Sequence, residues 1–408
     1  MSEHARYLIV GAGLAAHFAV RGIRERDGQS RIVIVGDEPE LPYTRPHLSK
    51  AYLIGTRPRE KVFVKPASFY EENKAEVWTG RTATAVDAAQ KSVTLAGGTS
   101  ITYEKLLLAT GSEARRLQID GSGLRGIYYL RRLADSDALR AAKQASKRAV
   151  IVGGGFIGAE VASAFAQAGV DTTMLLADDV LLKRQVGEDA GRFLLDYFRA
   201  KGVTVEVEKK VTAFHGDGQV RAVRTADGGE YLADTVVVGV GAVTRIELAA
   251  SAGLTIESGV VVDEYLRTSR PDIYAAGDIA FYFDARYGRR LRLEHWDNAV
   301  QQGKHAGLNM AGENQPFDHV PYFYSDLFDL DLQAWGDMYD WNRTVVRGAH
   351  KNNLTYFYLK DDRLKAVLVV DPTKEQAAAA EQLAAAMPRV KDEARYKDVT
   401  LPYEQLAE

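Results

Sequence analysis

The stretch IVGGGFIGAE (Ile151–Glu160) decides the reading of this chain, because IVGAGLAA (Ile9–Ala16) nearly repeats it. Each runs from a short apolar strand through a glycine turn into a helical pattern. In such a strand–turn–helix unit the first glycine makes the tight turn and the second lets backbone approach a pyrophosphate. The third permits close helix–strand packing, and the phosphates sit on the helix N-terminus. An acid about 20 residues further on accepts hydrogen bonds from a ribose hydroxyl. The first unit supplies Gly11, Gly13, Ala16 and then Asp37; the second supplies Gly153, Gly155, Gly158 and then Asp178. Asp179 adjoins Asp178, so either carboxylate, or neither, reaches the ribose. A lone GxGxxG is weak; two copies, each after a strand, before a helix and ahead of an acid, are not.

Outward from the turns, the order strand–helix–strand recurs. Leu14 to Arg26 reads as a helix followed by the strand Ile32 to Val35; the second copy has a helix through Ala168 and a strand from Thr172 to Leu176. A further helix is expected from about Glu188 to Ala200, then antiparallel strands with Asp227-Gly228-Gly229 as a hairpin turn. From Phe323 onward the sequence is aromatic and strand-rich, and it closes on an Ala-rich helix from Glu375 to Met387. The expected class is α/β: two Rossmann-like dinucleotide-binding domains plus a C-terminal α+β domain.

Composition narrows the chemistry. The 408 residues are 46% hydrophobic and 26% charged, with a net charge of −3, so nothing global points to nucleic acid or an anionic membrane. No apolar run approaches the ~18 residues of a membrane span, and a cytoplasmic protein without membrane insertion is expected. The 8 His are scattered singly and no metal site is expected. There are no cysteines, which excludes a disulfide scaffold, a cysteine-ligated centre and any redox-active thiol.

Two turns imply two different dinucleotides, and three more strings favour FAD with NAD(P)H over two NAD sites. KLLLATGS ends a strand in Ala109-Thr110-Gly111, DIYAAGD places Gly277 and Asp278 at a strand end, and VVVGVGA sets Gly239 and Gly241 where backbone can lie against a flat ring. With these strings the chain resembles the two-dinucleotide flavoprotein family that includes glutathione reductase. GDEPELPYTRPHLSK (Gly36–Lys50) is similar to the branch of ferredoxin, putidaredoxin and rubredoxin reductases, monodehydroascorbate reductase and apoptosis-inducing factor. PYFYSDLFDLDLQAWGD resembles the same branch.

That resemblance implies an FAD-binding domain in two parts, 1–113 and 246–320, an NAD(P)H-binding domain over 114–245 and a C-terminal α+β domain over 321–408. It implies that Asp37 binds the adenosine ribose, that Arg45 and Lys50 lie along the flavin, and that Asp278 holds the ribityl chain. Phe156, Ile157 and Glu160 belong to the nicotinamide side, Gly241 lies against the nicotinamide, and Glu294, His295 and Trp296 fall near the isoalloxazine. Ala16 replaces the third glycine, and Leu176 stands where many ferredoxin reductases carry Glu. No Arg or Lys occurs there before Lys183 and Arg184, and an acid near that strand end repels a 2′-phosphate, so NADH is expected, with NADPH the alternative.

The implied reaction is an NAD(P)H reductase taking hydride from NADH onto FAD and passing electrons to a small iron–sulfur carrier, ferredoxin or rubredoxin. The catalytic candidates are Lys50, as a cation toward the flavin, and Glu160, as its partner; the competing account of Glu160 is a first-turn acid favoured by the helix dipole. Without cysteine the dithiol route is closed, and electrons leave the flavin directly. Arg286, Arg289, Arg290 and Arg292 form a candidate basic rim for an acidic carrier, or else a solvated hairpin. Tyr322, Phe323, Tyr324 and Phe328 read as core, as does His17. The alternatives are a redox sensor like apoptosis-inducing factor, with redox-linked dimerisation and slow oxidase activity, and a monodehydroascorbate or quinone reductase; a homodimer is left open.

Overall fold

The computed structural model describes residues 3–349 and 354–406. The chain divides into two compact units, Met1–Thr44 with Arg59–Glu113 and Val243–His319, and Arg45–Pro58 with Ala114–Ala242 and Val320–Glu408.

In the first unit the strand Glu3–Val10 lies parallel between Ile32–Val35 and Ser100–Leu108. Ile32–Val35 is buried throughout, as expected of a parallel strand covered on both faces. Ser100–Leu108 changes partner along its length: its first half pairs antiparallel with Ser92–Leu95, and its second half pairs parallel with Ile273–Ala275. The late strand brings the DIYAAGD segment to the sheet end where Ala109–Gly111 leaves it.

The helix Leu14–Arg24 crosses the helix Trp296–Met310 on small residues. A Cβ on Gly303 would stand 2.3 Å from the Ala15 carbonyl oxygen, and one on Gly307 would stand 2.2 Å from that of Ala19. These are backbone contacts that no rotamer change relieves. Gly307→Val is therefore expected to cost more than the ~1–3 kcal/mol of ordinary overpacking, and loss of soluble, folded protein on expression is the measurement.

On the buried face of the helix Leu14–Arg24, His17 is 1% exposed and its Nδ1 lies 3.0 Å from the Tyr70 hydroxyl. Burial, helped by Arg21 and Lys65, pushes its pKa down to about 4. The unfolded chain takes up a proton below ~6.5, whereas the folded one does not until about 4. Stability from His17 is thus complete above ~6.5 and lost as pH falls toward 4, by about 3 kcal/mol at most. Urea unfolding between pH 7 and 4 should show a smaller acid loss in His17→Gln than in the parent.

In the second unit a parallel sheet runs in the order Thr204–Glu206, Asp171–Leu175, Arg148–Val152, Thr235–Val238, Ile127–Tyr128. The 227–229 turn joins Gln219–Thr225 to Glu230–Leu232, as its sequence predicts. The helix Lys183–Ala200 is broken at Gly187, whose φ is +77°. A Cβ there would meet the Trp341 ring at 2.6 Å, so the regular helix starts at the expected Glu188. The C-terminal part is an antiparallel sheet ordered Tyr322–Leu327, Leu330–Gly336, Arg363–Val370, Thr355–Lys360, Arg343–Arg347. The helix Lys374–Ala386 covers it, its start fixed by a capping box between Thr373 and Gln376.

Arg45–Pro58 packs with the second unit although its neighbours in sequence belong to the first. The helix Leu133–Ala145 holds it there: Ser136 Oγ donates to the Leu48 carbonyl at 2.7 Å, and Lys143 Nζ donates to those of Leu53 and Ile54 at 2.8 and 3.0 Å. Tyr52 adds a hydrogen bond to Asp137.

Candidate functional site

The two glycine turns share one geometry. Gly11 has φ +107°, and a Cβ on it would lie 2.1 Å from the Ala109 carbonyl oxygen; Gly153 has φ +110°, with the Gly239 oxygen 2.3 Å away. The first glycine of each turn is thus required by conformation and by the neighbouring strand. The second glycines, Gly13 and Gly155, face the opposite situation. Nothing lies within 4 Å of a Cβ on Gly13, and only the tip of Gln185 at 3.9 Å approaches one on Gly155. Each begins a helix, Leu14–Arg24 or Phe156–Gln167, that has no side-chain cap and no acid in its first turn. Open space in front of backbone N–H groups at a helix start is what an anionic pyrophosphate requires. The third positions differ: Ala16 is accommodated fully buried, whereas a Cβ on Gly158 would strike the Gly153 oxygen at 2.2 Å.

Around the first turn, Asp37 lies 3.2 Å from Arg245 Nη1, which also approaches Glu113 at 3.6 Å. Thr110 Oγ1 donates to the Arg245 carbonyl at 2.6 Å, tying the ATG turn to the same residue. Asp278 accepts from Ser112 Oγ at 2.7 Å, and the N–H of Gly277, φ +77°, donates to Gln302 Oε1 at 2.9 Å. Glu294 pairs with Arg292 at 2.5 Å. His295 is the N-cap residue of the helix that Trp296 opens, and burial lowers its pKa to about 4, so it is neutral near pH 7. Arg245 is a site residue that sequence reading missed; it follows VVVGVGA with no motif of its own.

The four arginines expected as a basic rim or a solvated hairpin lie on and beside a two-stranded hairpin. The strands Ala280–Asp284 and Arg289–Leu291 make the anticipated hairpin. Arg286, however, pairs with Asp284 and Asp318, Arg290 donates to the carbonyls of Val262 and Phe281, and Arg292 pairs with Glu294. Three of the four guanidiniums thus engage carbonyls and carboxylates of their own surroundings.

The second turn leads into a charged centre. Glu160 sits past the first turn of the helix Phe156–Gln167 and is 6% exposed, so it is no solvated dipole acid. Lys50 Nζ lies 3.4 Å from Glu160 Oε1 and 3.4 Å from Asp326 Oδ2, and 4.2 Å from the centre of the Tyr324 ring. Ser325 Oγ donates to Glu160 Oε1 at 2.7 Å, and Ser49 Oγ donates to Oε2. Burial alone would pull the Lys50 amine down, but Glu160 and Asp326 outweigh it and hold its pKa above the ordinary lysine value. The result is an ammonium ion kept charged in a largely dry setting.

Other members of the second unit are placed as follows. Arg45 Nη1 donates to the Arg131 carbonyl at 2.7 Å. Gly241, φ +104°, accepts from the Arg115 N–H at 2.9 Å. Phe156 packs edge-on to Phe323 with ring centres 5.0 Å apart, while Ile157 is 39% exposed. Asp179 is committed to Lys183 at 2.6 Å; the Asp178 main-chain carbonyl accepts from Glu208 at 3.1 Å. Tyr324 departs from the core reading, since it stands against Lys50, while Phe323 and Phe328 fit it. Ser49, Ser325 and Asp326 were also missed, although they lie inside the motifs RPHLSK and PYFYSDLF.

Residues 5–303 match the family described as pyridine nucleotide-disulphide oxidoreductase, and residues 322–405 match the domain described as reductase C-terminal. The chain is 37% identical over 373 residues to the biphenyl dioxygenase system ferredoxin--NAD(+) reductase component of Paraburkholderia xenovorans, covering 91% of each. It is 35% identical to rubredoxin-NAD(+) reductase of Pseudomonas putida, covering 91% of this chain and 97% of the other. The reductase in a solved covalent putidaredoxin reductase-putidaredoxin complex superposes with a TM-score of 0.94 at 30% identity, covering 99% and 98% of the chains. With its paired dinucleotide turns and its C-terminal domain, the chain belongs to the pyridine nucleotide-disulphide oxidoreductase family, in the ferredoxin reductase branch.

Proposed function

We propose that the protein is an FAD-dependent NADH reductase that delivers electrons to a small iron–sulfur carrier of the ferredoxin or rubredoxin type. The observation that carries this is the pair of complete dinucleotide turns on a chain with no cysteine. Two dinucleotides can be held, and no thiol is present to relay electrons onward. When bound, FAD accepts an electron pair from NADH and releases it one electron at a time.

The first turn, with Asp37 and Asp278, is assigned to FAD, and the second, with Asp178, to NADH. Gly13 and Gly155 both support a pyrophosphate at their turns, because each Cβ direction opens onto space at a helix N-terminus. Lys50 and Glu160 are assigned to the nicotinamide end of the second site. The carboxylate keeps the amine protonated, and the amine supplies a fixed positive charge where negative charge builds up during reduction. NADH is favoured over NADPH because Lys183, the first basic residue past the second strand, is already paired with Asp179. Among the described residues no helix is long and apolar enough to cross a membrane, and we place the enzyme in the cytoplasm.

Anaerobic mixing with NADH should bleach the flavin absorbance within a turnover, NADPH should do so far more slowly, and added ferredoxin should restore the colour. A persistent long-wavelength absorbance together with a changed oligomeric state, and no ferredoxin reduction, would instead support the redox-sensor alternative.

A further inference from the structure

The strand Tyr322–Leu327 opens the C-terminal domain and lies against the helix Phe156–Gln167, which carries Glu160. Three contacts fix the two together. Phe323 meets Phe156 at 5.0 Å between ring centres, the Phe328 N–H donates to Ser163 Oγ at 2.8 Å, and Ser325 Oγ donates to Glu160 Oε1 at 2.7 Å. Glu160 and Ser163 are three residues apart on one helical face, so the strand grips the helix at successive turns.

Ser325 has no exposure at all, and Ser49 is 1% exposed. Their hydroxyls reach different oxygens of the same carboxylate, while Lys50 approaches the Ser325-bound oxygen. A carboxylate has about four lone-pair directions, and these donors occupy three. The carboxylate plane is then fixed from two sides before any ligand arrives. A buried carboxylate with a single partner could rotate about its terminal torsion, which is broad for Glu. Two hydroxyls from separate segments prevent that.

We infer that Ser325 is a positioning residue: its hydroxyl, opposed by that of Ser49, locks the Glu160 carboxylate in the orientation that serves Lys50, so the C-terminal domain completes the reducing centre. This rests on the assignment of Glu160 and Lys50 to NADH oxidation. It extends that assignment to a residue more than 160 positions further along the chain, whose hydroxyl donates to the carboxylate. Tyr324 and Asp326, its neighbours on the strand, reach Lys50 itself, so one three-residue run serves both members of the ion pair.

The test uses the FAD-loaded enzyme with Ser325→Ala, Ser325→Thr and Ser49→Ala. In Ser325→Ala the limiting rate of flavin reduction should fall about tenfold, while the NADH concentration at half-maximal rate changes less than twofold; Ser325→Thr should recover most of the rate. Ser49→Ala should behave as Ser325→Ala does, which covers the case in which one variant does not fold. A second readout is independent of activity: the losses in thermal midpoint for Ser325→Ala and Glu160→Ala should be strongly non-additive in the double variant. A lowered midpoint with an unchanged limiting rate, or additive midpoint losses, would overturn the inference. Failure of the parent enzyme to be reduced by NADH would instead overturn the function on which it rests, and the midpoint cycle would still report on the hydroxyl contact.

Discussion

Glu160→Gln is expected to slow flavin reduction by NADH at least tenfold, about 1.4 kcal/mol or more in the barrier. Glutamine keeps the volume and its amide oxygen can still accept from one of Ser49 and Ser325, but it removes the negative charge 3.4 Å from Lys50. Removing one member of a buried pair leaves the other uncompensated at ~3–5 kcal/mol. Here the loss should fall at the low end, because Asp326 also lies 3.4 Å from Lys50 and is 55% exposed, where it can follow the amine. Lys50→Met should be slow as well, yet less destabilising than Glu160→Gln, since the serine hydroxyls continue to satisfy the carboxylate. Stopped-flow reduction and thermal midpoints of the two variants measure this. An unchanged reduction rate and an unchanged affinity for NADH in Glu160→Gln would remove Glu160 from the mechanism.

The largest selective effect is expected at the second glycine of each turn. Gly13 and Gly155 have φ of −95° and −83°, which side-chain-bearing residues adopt without strain, and a Cβ on either meets no clash. Valine at these positions should leave the protein folded while filling the space in front of the helix N-terminus. Gly13→Val should purify without FAD, with an unchanged circular dichroism spectrum. Gly155→Val should retain FAD and lose NADH affinity about 100-fold, some 2.7 kcal/mol. Loss of FAD from Gly155→Val with NADH affinity intact would reverse the assignment of the two turns.

The comparison of these glycines with their neighbours shows what the sequence could reveal. Strand, turn and helix follow from local chemistry: apolar strand, glycine where φ must be positive, then helix-forming residues. That is why both turns, the Asp227–Gly229 hairpin and the Ala-rich helix near Glu375–Met387 were legible. Lys50 and Glu160 were legible because they sit in recognisable motifs. Arg245 was not, since its partner Asp37 lies more than 200 residues away and ion pairs leave no local pattern. The arginines of the 280–292 hairpin were left open between a basic rim and a solvated turn, because the carbonyls of Val262 and Phe281 and the carboxylate of Asp318 come near only in the folded chain. Tyr324 looked like core because a tyrosine in an aromatic strand usually is; here its ring meets an ammonium ion.

The interleaving of the two units has a consequence for biosynthesis. The chain passes between them at Thr44/Arg45, Pro58/Arg59, Glu113/Ala114, Ala242/Val243 and His319/Val320. When the ribosome has released the first sheet segments, the first unit still lacks Ile273–Ala275 and the helix Trp296–Met310. The second unit waits longer, for the strand Tyr322–Leu327 and the sheet it begins. Neither can close on the nascent chain domain by domain, as continuous domains do. Both are complete only once the last third of the chain has been made. Truncation anywhere before the C-terminal sheet should therefore yield aggregates and no smaller working reductase.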